Sequence, residues 1–173
     1  KDIWLQTIGL RLLYHKKCSL TTGRFFHRQG KKMWITFGKD RKQMTELVGK
    51  IHSESRLITE DMLASSLKSG GVDVLATPYM IAMMEYASMQ LVQPHLPQGI
   101  TTVGTLVNIT HSAPSAAGMT VTAEAELVET DGRRFVFRVT ARDDQGVIGE
   151  GVHERHSIKA AGFEEKARAR AGK

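Results

Sequence analysis

The sequence predicts an α+β fold in which a curved antiparallel sheet of about five strands wraps round one long central helix. Three observations carry that prediction. From Pro78 to Val92 apolar residues occupy almost every side of a helical segment, and Glu85 is its only charge. After Gly99 the period changes from helical to alternating and stays so to about Ile158. Asp131-Gly132 and Asp143-Asp144-Gln145-Gly146 divide that stretch with turn signals. A helix that is apolar all round is normally buried. A flat sheet would leave its far side wet, so the sheet must curl round it, and where one sheet does not cover it a second copy must. A dimer is therefore expected.

The elements follow in order. His52 to Thr59 reads as a first strand, and Thr59-Glu60-Asp61-Met62 as the start of a short helix to about Leu67. Ser69-Gly70-Gly71 breaks it. Thr77-Pro78 opens the long helix, with Thr77 as N-cap, and Pro94 closes it. Val103, Thr105, Val107, Ile109 and His111 share one face of the next strand. Met119, Val121, Ala123, Ala125 and Leu127 share a face of the third. Phe135, Phe137, Val139 and Ala141 line one side of the fourth, with Arg134, Arg138 and Arg142 opposite, in reach of Glu124 and Glu126. A last strand runs from Val147 to about Ile158, and a charged tail, 164–173, is expected to fray.

The length of 173 residues suits one domain, and an apolar share of 41% is enough for a core. No stretch approaches the roughly 20 apolar residues of a membrane span. The only cysteine, Cys18, excludes an internal disulfide and fits a reducing, cytoplasmic setting. The net charge of +6 is unevenly placed. Residues 1–43 carry eleven basic and two acidic residues, a net +9, with both tryptophans, Trp4 and Trp34. The remainder is −3, so the domain at 44–163 has no nucleic-acid footprint, and a nucleic-acid partner is not expected. The leader reads in three ways: a targeting peptide for an organelle, a basic arm for an anionic partner, or non-native sequence ahead of Met44.

Burying an unpaired carboxylate is costly, so Glu85 is either a paired structural charge or a tuned acid or base. Thr77 stands at the helix mouth. The eight residues between them amount to about 80° of rotation and about 12 Å of rise. The two can line one cleft without touching. His111 ends a strand face that should point at the helix. A hydroxyl, a carboxylate and an imidazole beside an apolar slot suit acyl transfer. The helix-start N–H groups near Pro78 to Met80 can polarise a carbonyl, which makes Pro78 and Met80 candidate substrate contacts.

Each residue has a structural alternative. Thr77 can be a plain cap, His111 a structural or exposed histidine, and Glu85 a partner of His111 that serves stability alone. Met80, Met83, Met84 and Met89 read most simply as core, although methionine also suits a slot for varied chains. His153 and His156 stand three apart on a strand and point to opposite faces, so no metal site is expected. There is no P-loop and no dinucleotide fingerprint.

Several segments resemble one known family. Ala76-Thr77-Pro78 through Met84-Glu85, Val107-Asn108-Ile109-Thr110-His111, Gly118 to Leu127, and Gly149-Glu150-Gly151-Val152-His153-Glu154-Arg155 are similar to the fluoroacetyl-CoA thioesterase-like group of hotdog-fold proteins. The resemblance covers about Leu57 to Phe163. It implies a hotdog fold, a dimer with its pocket at the subunit interface, and hydrolysis of an acyl-CoA. The family's catalytic threonine, glutamate and histidine fall on Thr77, Glu85 and His111, and a glycine beside the acyl group falls on Gly104. It implies no role for His153-Glu154-Arg155. Fluoroacetyl-specific members carry aromatic residues before the helix, whereas Leu67 to Leu75 contains none and has Lys68, Gly70 and Gly71 there.

The expected function is hydrolysis of a small or medium acyl-CoA to free acid and CoA, with no cofactor beyond the substrate's own CoA. Two rivals use the same slot: a non-catalytic acyl-CoA-binding regulator and a hotdog enoyl-CoA hydratase.

Overall fold

The structure, a computed structural model, describes residues 43–172; the leader's three readings lie outside the described residues. Strands β1 (Ile51–Leu57), β2 (Ile100–His111), β3 (Thr120–Thr130), β4 (Arg134–Asp143) and β5 (Gly146–Lys159) form one antiparallel sheet in the order β1-β3-β4-β5-β2. Helix α1 (Thr77–Val92) packs on β1, β2, β3 and β4, and helix α2 (Ala160–Arg170) follows β5 directly.

The alternation of β3 and β4 holds. Val121, Ala123, Ala125, Leu127, Phe135, Phe137, Val139 and Ala141 are all sealed from solvent. The alanines leave depth for Met80 and Met84 of the helix, which are equally buried. Each such methionine contributes about 1.5–3 kcal/mol of burial. Asp131 organises the β3–β4 turn by accepting from the N–H groups of Arg133 and Arg134, while Gly132 takes a left-handed φ of +88°.

Five expectations are corrected. The short helix after β1 is a single 3-10 turn, Glu60–Met62. Beyond it Leu63 bridges Leu75, and Ser65 and Ser66 bond Asp73 and the Glu60 carbonyl, which competes with helix continuation. Thr77 is no cap: Ala76 precedes the helix, no side chain caps it, and Thr77 is its first residue. The helix is not buried on every side, because Pro78, Ala82 and Tyr86 form an exposed lane. Arg138 pairs with Glu126, but Arg134 turns to Glu129 and Glu154 instead. The tail forms α2, whose Glu164–Arg168 pair and last-turn arginines favour a helix even with no residue buried.

Three bulges interrupt the sheet: one at Val128 of β3, and two on β2 and β5 that reset the strand faces beside the helix. On β2, Gly104 opposes Arg155 and Leu106 opposes Glu154, so Thr105 is an extra residue. Thr102 and Gly104 therefore face the helix before the bulge, and Val107, Ile109 and His111 after it. The expected inward Val103 and Thr105 are turned away; the Thr105 hydroxyl bonds the Glu154 carbonyl. On β5, Ala141 opposes Gly149 while Arg142 opposes Val147, which leaves Ile148 as the extra residue. That slip points His153 and Arg155 inward, across from Phe137 and Phe135.

Candidate active site

Two polar groups lie along α1. The first is at its mouth. The Thr77 hydroxyl is 2.9 Å from Nδ1 of His111, the last residue of β2. His111 Nε2 is buried and makes no hydrogen bond within the protein. A buried polar atom without a partner calls for an explanation, and a bound ligand is one. The expected free helix-start donors are mostly used: the N–H groups of Tyr79 and Met80 both donate to the Ala76 carbonyl, and Pro78 has none. Among the described residues, the N–H of Thr77 is the one left over at this end. Pro78 is exposed beside it, but the Met80 side chain is fully buried against Gly149, so it lines core rather than slot.

The second group surrounds Glu85. Its side chain keeps 38% of its surface exposed, so it is no dry interior carboxylate. It borders an open cleft of about 370 Å³ lined by Ala82, Tyr86, Met89, Thr102, Gly104 and Arg155. Glu85 Oε1 lies 3.7 Å from His153 Nε2 and 3.8 Å from Arg155 Nη1. A Cβ on Gly104 would fall 2.5 Å from that oxygen and 3.1 Å from His153 Cε1. Glycine thus leaves the space that the carboxylate fills.

Arg155 is 6% exposed. Its Nε–H donates to the Thr102 hydroxyl, its Nη2–H to the Thr102 carbonyl, and its Nη1–H faces His153 Nε2 at 3.1 Å. His153 Nδ1 lies 2.8 Å from the Leu106 carbonyl. Burial holds the His153 pKa below its ordinary value; the Leu106 hydrogen bond opposes that, and the nearby Arg155 charge reinforces it. Burial also lowers the Arg155 pKa, and the Glu85 charge opposes that shift.

Of the expected trio, Thr77 and His111 meet, and Glu85 touches neither; its neighbours are His153, Arg155 and Gly104. The pairing of Glu85 with His111 is therefore replaced by one with β5. His153 and Arg155 were missed because their inward direction depends on the bulge at Ile148. A larger hollow of about 440 Å³ lies under α2 and the β3–β4 turn, with Leu96, Ile158 and Phe163 in its wall, but it holds none of these acid or base groups. No group of three or more His, Cys, Asp or Glu residues among the described residues could hold a metal ion. No helix there is long and apolar enough to cross a membrane.

The family described as fluoroacetyl-CoA-specific thioesterase, FlK, matches residues 58–161. The fluoroacetyl-CoA thioesterase of Streptantibioticus cattleyicolor is 41% identical over 96 residues, which is 56% of this chain and 69% of that protein. A solved structure of the fluoroacetyl-CoA thioesterase FlK is 33% identical, with a TM-score of 0.67, and the match covers 70% of this chain and 95% of that one. A hot-dog-like protein from Thermanaerovibrio acidaminovorans shares the fold at 22% identity, with a TM-score of 0.66 over 73% of this chain and 96% of that one. With both the sequence match and the helix-wrapping sheet in hand, the chain belongs to the fluoroacetyl-CoA-specific thioesterase family and has a hotdog fold.

Proposed function

We propose that this protein hydrolyses small or medium acyl-CoA thioesters to the free acid and CoA, as a homodimer whose subunits share each site. The observation that carries the reading is the His111 imidazole: Nδ1 engaged by Thr77 and Nε2 buried without a partner. If the Thr77 hydroxyl donates to Nδ1, the neutral ring carries its proton on Nε2. That N–H, with the N–H of Thr77, is a ready donor for the thioester oxygen. Family membership supports the substrate class. The loop before the helix has no aromatic residue, which favours acyl groups beyond the smallest.

Glu85 supplies the base. Water attacks the carbonyl carbon and passes a proton to the Glu85 carboxylate, giving a tetrahedral oxyanion held by the His111 Nε2–H. Collapse breaks the carbon–sulfur bond, and the CoA thiolate takes the proton from Glu85. Within one protomer the two groups are separated by about 12 Å of helix rise. A second copy is therefore invoked to bring its Glu85 to this Thr77–His111 pair. The exposed lane of α1 and the free edge of β2, where Val107 is 45% exposed, support such a seam.

Free-thiol release across a panel of acyl-CoAs tests the activity. Glu85→Gln should lower turnover by about 10²–10⁴. Mixing Glu85→Gln with His111→Ala subunits tests the sharing. Restored turnover in the mixed dimer is expected, and two inactive parents that stay inactive together would refute a shared site.

A further inference from the structure

The polar cluster behind Glu85 has a hydrogen-bond order that its own chemistry dictates. A carbonyl oxygen only accepts, so the contact between His153 Nδ1 and the Leu106 carbonyl requires a proton on Nδ1. A guanidinium only donates, so the 3.1 Å contact from Arg155 Nη1 requires a bare lone pair on Nε2. Both neighbours demand the same neutral tautomer. The ring is wholly buried and stacks on Phe137, with centroids 6.4 Å apart.

We propose that His153 is a positioning residue for Glu85: as a fixed, neutral acceptor it holds the Arg155 guanidinium beside the carboxylate. The inference rests on the reading that Glu85 serves the hydrolysis. Arg155 makes no close hydrogen bond to the carboxylate itself; the two stand 3.8 Å apart. What orients the guanidinium is Thr102 on one side and His153 on the other, with the Glu85 carbonyl at 3.4 Å. The Glu85 carboxylate is thus attracted to a fixed charge without being locked, and stays free to take and return a proton. The β2 bulge contributes the anchor, since Leu106 follows the extra residue Thr105.

Protonation of His153 would put a second N–H against Arg155 and break the arrangement. The charged groups bearing on the ring are Arg155 and Glu154 on β5 and Glu85 on α1; β2 presents the neutral Leu106 carbonyl and Thr102, and β4 the Phe137 ring. Glu154 is already engaged by Arg134. Burial opposes the charged form of His153, so the acceptor persists through neutral pH.

A double-mutant cycle on the full chain tests the inference. His153→Phe keeps the packing on Phe137 but removes both hydrogen bonds. It should lower kcat by about 10- to 100-fold while KM changes little. His153→Gln, which retains one donor and one acceptor, should recover part of that loss, and it carries the cycle if the phenylalanine variant does not fold. In a Glu85→Gln background the same change at His153 should cost nothing further, because its effect passes through Glu85. Imidazole nitrogen shifts should report a neutral, Nδ1-protonated His153 at pH 7. Equal losses in both backgrounds, wild-type kcat in His153→Phe, or an imidazolium at pH 7 would overturn the proposal. A wild-type protein that releases no thiol from any acyl-CoA would instead remove the hydrolase reading and the proposal together.

Discussion

Gly104→Ala separates the position of Glu85 from its chemistry. The added methyl group would sit 2.5 Å from Glu85 Oε1. An ordinary carbon contact needs about 3.5 Å, so the carboxylate must retreat by about 1 Å. The nearest atom is the end of a flexible side chain beside an open cleft and can retreat, while the buried His153 ring, 3.1 Å away, must give by a few tenths of an ångström. Overpacking costs about 1–3 kcal/mol. Replacing a strand glycine at ordinary φ returns about 0.4–1 kcal/mol through the unfolded chain. Net stability should therefore move by no more than about 2 kcal/mol. Turnover should respond far more, since a 1 Å misplacement of a reacting group can cost about 10²-fold. The assay is steady-state thiol release beside thermal unfolding of the same preparation. A folded Gly104→Ala protein with wild-type kcat would refute the claim that the carboxylate's place sets the rate.

Other outcomes follow from the same geometry. Thr77→Ala should lower kcat by about 10- to 100-fold, and Thr77→Ser should recover most of it; unfolding temperature should barely change, because Thr77 is exposed and caps nothing. Glu85→Gln should destabilise by about 1–2 kcal/mol in chemical denaturation, since it strips Arg155 of its carboxylate; the usual 3–5 kcal/mol for a broken buried pair is reduced because Glu85 is 38% exposed. His153 has a folded pKa below 6.5, so the unfolded chain binds its proton first as pH falls. Stability should be full above about pH 6.5 and decline below it by at most about 1.4 kcal/mol per pH unit, and His153→Gln should lack that part of the slope in pH-dependent unfolding. Val107→Asp on the free β2 edge should yield monomers in sedimentation, and with them loss of turnover.

Much of this protein is legible residue by residue. The run from Tyr79 to Val92 has too few polar residues for a solvent-facing helix, and the alternation from Val121 to Leu127 fits only a half-buried strand. Asp131-Gly132 and Asp143 to Gly146 turn the chain where the structure turns it. Thr77 and His111 could be paired as candidates because one opens the helix and the other ends a strand in phase with Val107 and Ile109. The cap expected of Thr77 failed because Ala76 takes the cap position and Thr77 is already the first helical residue, where its hydroxyl meets an imidazole brought from 34 residues away.

The surroundings of Glu85 were not legible, and the reason is parity. Sequence by itself determined which residues could form a buried helix, a curved antiparallel sheet and a polar trio, because periodicity and turn chemistry are local. The tertiary structure decided which faces those residues take. One extra residue at Thr105 brings Gly104 under the carboxylate, and one at Ile148 turns His153 and Arg155 toward it. Side chains alternate with a period of two, so each single-residue slip inverts everything on one side of it. No local pattern in β2 or β5 marks where the slip falls; only pairing with the neighbouring strand sets it.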